Sequence, residues 1–449
     1  MRADVGSLEA NTPNKTVNPQ RNHCQDGCSA FERTNRIKLI IHMKSMNFKK
    51  LKIPSIILLA ILIVLAIIYI PTIKKAILFK QAMALDNLAY TFINMDEHLP
   101  IRKVDKADEP FVFPRINNIT LPSNFVHNES VFNTRKYIDS SYTQGFILIQ
   151  NDTIHYEGYW KGQQVDTKHI SWSMAKSYVS ALFGIAIEEG YIKSIDQTVD
   201  DYLPEFKGSG YDNVKIKDVL QMSSGVKFDE TYSDPNSDIN RYWEDFVFGG
   251  SQDEFATTLE NERPPGTYNK YVSIDTHVLG MIIVKATGKS LTDYLEEKIW
   301  KPIGNEYDAF WLTDEYGMEQ ANGGLNATLR DFAKLGRLYL NKGNWEGNQI
   351  VPANWIEQSL SITEEHLMPQ SENSEDNGIG YGYQWWIPDG TEGEFMAIGV
   401  FNQHIYVNPT TNTIIVKNSA NKNYYDGNNP YASTRTHLEL YRKLAHLNE

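Results

Sequence analysis

The chain has 449 residues, 41% of them apolar and 12% aromatic, enough to bury a large core in one or two domains. Its net charge of −13 is uneven: residues 1–80 hold 13 Lys/Arg against 4 Asp/Glu, a balance of +9, which leaves −22 for the remainder. So acidic a main domain argues against nucleic acid as a partner, and because both cysteines fall before residue 30 it has neither a disulfide nor a thiol nucleophile.

In chain order, residues 1–50 are polar and without apolar periodicity, and read as a disordered cytoplasmic terminus. Cys24 and Cys28 have the spacing of half a zinc site but no second Cys/His pair, so no metal site is expected. Residues 53–73 carry no charge and are long enough to cross a bilayer core of about 30 Å as a helix. Lys44, Lys49, Lys50 and Lys52 precede this run, which keeps the N-terminus cytoplasmic and sends the rest to the periplasmic or extracellular side. Lys74, Lys75 and Lys80 weaken that asymmetry without reversing it. No small-x-small cleavage site follows, so 51–73 reads as an uncleaved single-pass anchor, 74–134 as a lead-in, and 135–449 as the folded domain.

Residues 145–150 and 153–160, joined by Asn151-Asp152, predict a hairpin. The informative stretch follows: His169-Ile-Ser-Trp-Ser173-Met-Ala-Lys176-Ser-Tyr178, then Val179, Leu182, Phe183, Ile185 and Ile187 at helical spacing. Ser173 stands at the start of a buried helix, with Lys176 one turn on and on the same face. A serine becomes a nucleophile beside a base, and desolvation brings a lysine toward that role. The helix N-terminus adds unpaired N–H groups suited to an oxyanion. Two other Ser-x-x-Lys matches, Ser224–Lys227 and Ser419–Lys422, close a helix and open a polar loop respectively; only Ser173 begins a buried helix. A short helix over 215–222 is followed by 228–250, which reads as a long polar and aromatic loop of the kind that forms lids. Helices are predicted over 276–286, 291–299 and, capped by Thr328, 329–340. Strands are predicted over 383–387, 395–399, 403–407 and 413–416, and a last helix over 433–447. Strands near both ends with helices between predict an α+β fold: one antiparallel sheet built from N- and C-terminal segments, flanked by helices, with an all-helical insertion. His169 and His404 read as structural, and no phosphate loop or metal-ligand constellation is present, so no cofactor is expected.

In this order the motifs resemble the serine β-lactamase-related superfamily over about 135–447, and within it the class C-like branch with its esterases and aminohexanoate-oligomer hydrolases. The resemblance rests on Ser173-Met-Ala-Lys176, the 196–206 stretch, Val219-Leu-Gln-Met-Ser-Ser-Gly225, Pro265-Gly266 with Tyr271-Val-Ser273, Lys301-Pro-Ile-Gly304, Gly323-Gly-Leu-Asn-Ala-Thr328 and Tyr381-Gly-Tyr-Gln-Trp-Trp386. It implies a serine hydrolase that cleaves a small ester or amide through an acyl-serine on Ser173, which the anchor expected from 53–73 makes membrane-bound and exported. Lys176 and Tyr271 would share the proton work, either being the base, and Ser273 would stand where many β-lactamases have Asn. The family's third motif, Lys/His-Thr-Gly, is replaced by Ala397-Ile398-Gly399. The resemblance keeps an oxyanion hole from the N–H groups of Ser173 and Val400, with Gly399 allowing close approach, but loses the cation that pairs with a substrate carboxylate. Tyr232 is the best match to a lid tyrosine that holds the substrate amide. Trp385 and Trp386 alternate along a strand, so one faces the cleft, and we assign Trp385 to it. The alternative readings are a β-lactamase or D-Ala-D-Ala-type peptidase, or a non-catalytic penicillin-binding-like sensor.

Overall fold

The computed structural model describes residues 52–116, 119–375 and 378–447; the predicted disordered terminus, with Cys24 and Cys28, lies outside them. The chain divides into two compact units after Ile68. Of the first, the described part is the opening of helix α1 (Lys52–Ala82), which has Pro71 within it. Among the described residues this is one helix long and apolar enough, over Ile57–Ala82, to cross a membrane by length and composition, and most of its large apolar side chains are exposed.

The second unit is built on two sheets. In chain order its principal elements are β1 (Ile101–Val104), β2 (Thr143–Gln150), β3 (Thr153–Tyr159), β4 (His169–Ile170), α2 (Ala175–Glu188), α3 (Asp238–Phe248), α4 (Ser273–Thr287), β5 (Ala309–Leu312), β6 (Leu325–Ala327), α5 (Leu329–Leu340), β7 (Ile379–Tyr381), β8 (Trp386–Pro388), β9 (Phe395–Gly399), β10 (Gln403–Asn408), β11 (Thr413–Ser419) and α6 (Thr434–Ala445). The main sheet is seven-stranded and antiparallel, in the order β7-β8-β9-β10-β11-β2-β3, so that β11 pairs with β2 across the whole domain (Thr413 opposite Gln150, Val416 opposite Ile147). The expected sheet from both ends of the domain is therefore present. The predicted hairpin is present too: Asn151 and Asp152 take φ of 51° and 57°, the left-handed pair a two-residue turn requires.

One face of this sheet carries α5, which inserts Leu335 and Leu338 into the core and lays Gly336 against Ile405 and Ile414. A Cβ at Gly336 would stand 2.9 Å from Ile414 Cγ2, so helix and sheet approach there as closely as a glycine permits. The other face carries α6, with Leu438, Tyr441 and Leu444 against Phe146, Tyr406 and Ile415. Both helices begin as their sequences suggest: Thr328 Oγ1 accepts from the Asp331 N–H at 3.3 Å, and Ser433 Oγ from the Thr436 N–H at 3.3 Å.

Three sequence expectations differ from the structure. The insertion is not all-helical: it holds a second sheet in the order β1-β5-β6-β4. Its edge strand comes from the lead-in, Ile101–Val104 pairing antiparallel with Ala309–Leu312, a strand not expected in that stretch. Finally, the long loop after residue 228 contains helix α3. Ser237 caps it, Gly249 at φ 88° ends it, and Ile239, Tyr242 and Phe246 form its buried stripe.

Candidate active site

Strand β4 delivers the chain to the start of α2 through a tight turn, the 3₁₀ segment Trp172–Met174. Trp172 takes a left-handed φ of 46°, a conformation a bulky residue holds only when its surroundings enforce it, at a cost of about 1–3 kcal/mol. The enforcement is aromatic: its indole is wedged between Phe92 (centroids 5.3 Å apart), Trp243 (5.3 Å) and Phe401 (5.8 Å). The turn presents Ser173 to a cavity of about 430 Å³ that is also lined by Tyr232, Tyr271, Trp386, Gly399, Val400 and Arg435.

Lys176 Nζ lies 3.2 Å from Ser173 Oγ, 3.3 Å from Ser273 Oγ and 2.8 Å from the Asn322 carbonyl. Burial pulls its pKa down to about 7, against the opposing pull of the Glu230 and Asp275 carboxylates. Tyr271 arrives from the segment before α4. Its ring stands 5.2 Å from Lys176 Nζ, and its phenol shares the cavity wall with Ser173. Burial and the Glu230 charge hold that phenol well above its ordinary value, the Ser173 contact only partly offsetting them.

Glu230 is the functional residue that sequence reasoning missed. Its carboxylate takes three donors: the Ser273 hydroxyl at 2.5 Å, the Ser273 N–H at 3.0 Å and the Tyr232 hydroxyl at 2.6 Å. This fixes the protons around Lys176. With Ser273 donating to Glu230, the Ser273 oxygen must accept from Lys176, and the Asn322 carbonyl can only accept. When the amine is neutral, with two N–H groups so engaged, its one lone pair is left for Ser173. Beside it Asp275, in the first turn of α4, is pushed up to about 8 by burial while the Tyr211 hydroxyl donates to it at 2.7 Å. Replacing Glu230 by glutamine is expected to lower kcat about tenfold by loosening Ser273, and to move the acid limb of the pH profile about half a unit toward acid, since the carboxylate raises the Lys176 pKa. A profile that stays in place would assign Glu230 a packing role only.

Gly399 ends β9 against the nucleophile turn. A Cβ there would stand 2.7 Å from the Ser171 carbonyl oxygen and 3.1 Å from the Ser173 nitrogen, so this position tolerates only glycine. Val400 follows it in the cavity wall.

Trp385 is corrected. It is fully buried, 4.5 Å from Tyr339 and 5.2 Å from Phe395 between ring centroids, while Trp386 faces the cavity and stacks on Tyr271 at 5.4 Å. The two rings do point to opposite sides, but in the reverse of the assigned order, which is set by Gln384, a residue at φ 64° outside any strand. It is pinned there by Thr276, which donates to its side chain at 2.6 Å, and by Ser177, which donates to its carbonyl at 2.8 Å.

The sequence reading also passed over Arg435, from the first turn of α6. It brings a cation into the cavity although Ala397 stands where the family has lysine or histidine. His169 and His404 are buried and structural, bonded to Gln144 at 3.1 Å and Tyr441 at 2.7 Å. The rival serines line no part of the cavity, and Lys422 pairs instead with Asp86 at 3.1 Å. Among the described residues no cluster of His, Cys, Asp and Glu is arranged to hold a metal ion.

Comparisons with known proteins agree with this arrangement. The family model described as Beta-lactamase matches residues 144–440. A 6-aminohexanoate-dimer hydrolase of Paenarthrobacter ureafaciens is 29% identical over 344 residues, covering 74% of this chain and 85% of its own length. A solved Bacillus anthracis structure carrying a provisional 6-aminohexanoate-dimer hydrolase assignment is 28% identical with a TM-score of 0.72, over 80% of this chain and 94% of its own. EstCE1, a hydrolase with promiscuous acyltransferase activity, shares the fold at 15% identity with a TM-score of 0.55, over 70% of this chain and 96% of its own.

Proposed function

The chain belongs to the β-lactamase family and is a hydrolase of its serine type, and from that premise we propose that it cleaves a small ester or amide through an acyl-serine on Ser173. Ser173 Oγ bonds to the acyl carbon while its proton passes to the Lys176 lone pair. The developing oxyanion is held by the N–H groups of Ser173 and Val400. The bond to the leaving oxygen or nitrogen then breaks, that atom taking the proton by way of the Tyr271 hydroxyl. Water repeats the sequence on the acyl-enzyme, releasing the acid and restoring the serine. Linear amide oligomers of the kind named by the aminohexanoate-dimer hydrolases head the substrate list. Tyr232 lies at the cavity wall to meet the amide, and Arg435 to meet a distal carboxylate.

The observation that carries this reading is the enclosed Lys176, 3.2 Å from Ser173 Oγ, brought down by burial to about 7 and with its other hydrogen-bonding capacity spent on Ser273 and Asn322. Protonation removes the lone pair. kcat/KM for an uncharged ester is therefore expected to rise through pH about 7 and level off above it. A fluorophosphonate probe should label Ser173 with the same pH dependence, and a pH-independent rate would refute Lys176 as base.

The reading includes a membrane anchor. The apolar span within α1 and the lysines before it support a single-pass helix with the catalytic unit outside the cytoplasm. Alkaline carbonate should then leave the full chain in the membrane pellet, and protease added outside intact cells or spheroplasts should digest the catalytic unit; release by carbonate would refute the anchor.

A further inference from the structure

A second cavity, a groove of about 850 Å³, lies between the C-terminal end of α1 and helix α3, and the proposed reaction does not use it. Its lining is mostly apolar, with Ile77, Phe79 and Leu85 on one side and Trp243, Val247 and Phe248 on the other. The two walls are locked together where Phe79 stacks on Trp243, centroids 6.4 Å apart and planes at 17°. Along the rim Ile77, Leu85 and Phe248 remain 52%, 55% and 51% exposed, more apolar surface than a soluble protein leaves in one place without use.

Two observations say what fills it. The groove and the catalytic cavity share a wall residue, Tyr232. That ring is held in place, stacked on Tyr425 at 5.9 Å with its hydroxyl on Glu230, so one fixed side chain forms part of the wall of both spaces. Further, the α1 wall of the groove, with Ile73, Ala76, Ile77 and Phe79, belongs to an apolar stretch of helix, a surface that hydrocarbon suits. The groove lies within the roughly 300–1,000 Å³ range of sites that enclose small ligands.

We propose that this groove holds the acyl chain of an amphiphilic ester or amide whose carbonyl end reaches Ser173 past Tyr232. This rests on the serine-hydrolase reading above and narrows it to substrates with a hydrocarbon tail. The chemistry is the same acyl transfer: the tail stays in the groove through both half-reactions, while the alcohol or amine leaves from the catalytic cavity and water later takes the acyl group.

The test uses the full chain in maltoside micelles and compares nitrophenyl octanoate with nitrophenyl acetate. The double variant Leu85→Asp/Phe248→Asp, at two positions more than half exposed, should keep the wild-type melting temperature. Its octanoate-to-acetate ratio of kcat/KM should fall at least about tenfold, the scale on which apolar pockets discriminate. A ratio within twofold of wild type overturns the proposal.

A second readout is independent of catalysis. A palmitic acid analogue carrying a diazirine is photolysed with the Ser173→Ala chain, and the labelled peptides are mapped. Labels at 76–85 and 240–248 that excess palmitate displaces support the groove. Labels confined to 55–72, or labels that palmitate does not displace, overturn it. Displaceable labels with an unchanged ratio overturn it as well, because the tail then binds without serving the reaction. If no ester is hydrolysed at all, the serine-hydrolase reading fails, while the crosslinks still decide whether the groove takes a fatty acyl chain. A concentration-dependent dimer that the double variant abolishes would assign the groove to a second copy instead.

Discussion

Replacing Ser173 by alanine is expected to lower kcat/KM on any ester or amide the protein cleaves by at least about 10⁴-fold, the loss seen when a nucleophile that acts with its base as a unit is removed. The side chain is small and only 9% exposed, and its oxygen meets Lys176 at the wall of the cavity, not the core. Folding should therefore be nearly untouched, and the melting temperature separates loss of chemistry from loss of structure. Residual activity should come from the oxyanion donors and binding alone. Wild-type rates in the alanine variant would remove the acyl-serine from the account altogether.

Replacing Lys176 by methionine comes next, at about 10³-fold. Methionine is unbranched and of similar reach, so it fills the space without leaving a cavity. It cannot accept a proton at neutral pH, and it leaves the Asn322 carbonyl and the Ser273 oxygen without their donor, at a stability cost of about 1–3 kcal/mol. The diagnostic feature is the shape of the residual pH profile. If Lys176 is the base, the ascending limb near neutrality disappears. If the Tyr271 phenol takes the proton unaided, a limb persists at high pH, because burial and the Glu230 charge hold that phenol far above its ordinary range. The sequence left the choice between these two groups open. The surroundings weight it toward the amine, since burial works for a lysine base and against a tyrosinate.

What the sequence made legible was whatever is local. Ser173 and Lys176 are three residues apart on one buried helix, and the apolar periodicity after them is visible without any partner. The caps at Thr328 and Ser433 and the turn at Asn151-Asp152 are equally local. Glu230 was not legible, because what makes it important is Ser273, 43 residues further on, and a glutamate in a polar stretch carries no mark of being enclosed. Strand β1 escaped for the same reason: four residues with no clear period are a strand only because Ala309–Leu312 lies beside them. Helix α3 was different. Ile239, Tyr242 and Phe246 do stand at helical spacing, and the signal was outweighed by the polar residues between them. The Trp385 assignment had the alternation right and the order wrong, because the order is set by the positive φ of Gln384 just before the pair, which leaves no mark in the sequence.

The pairing of β2 with β11 has a consequence for biosynthesis. Gln150 waits for Thr413, which emerges 263 residues later, and at about 5–20 residues per second that is on the order of 10–50 s of translation. Through that interval Phe146-Ile147-Leu148-Ile149, fully enclosed in the finished molecule, has an open edge and no neighbour on one side. The protein therefore passes through a vulnerable nascent stage that its finished compactness conceals. Truncation anywhere before β11 should yield aggregates instead of a smaller folded body, and expression should depend on a holdase far more than the thermal stability of the mature unit would suggest.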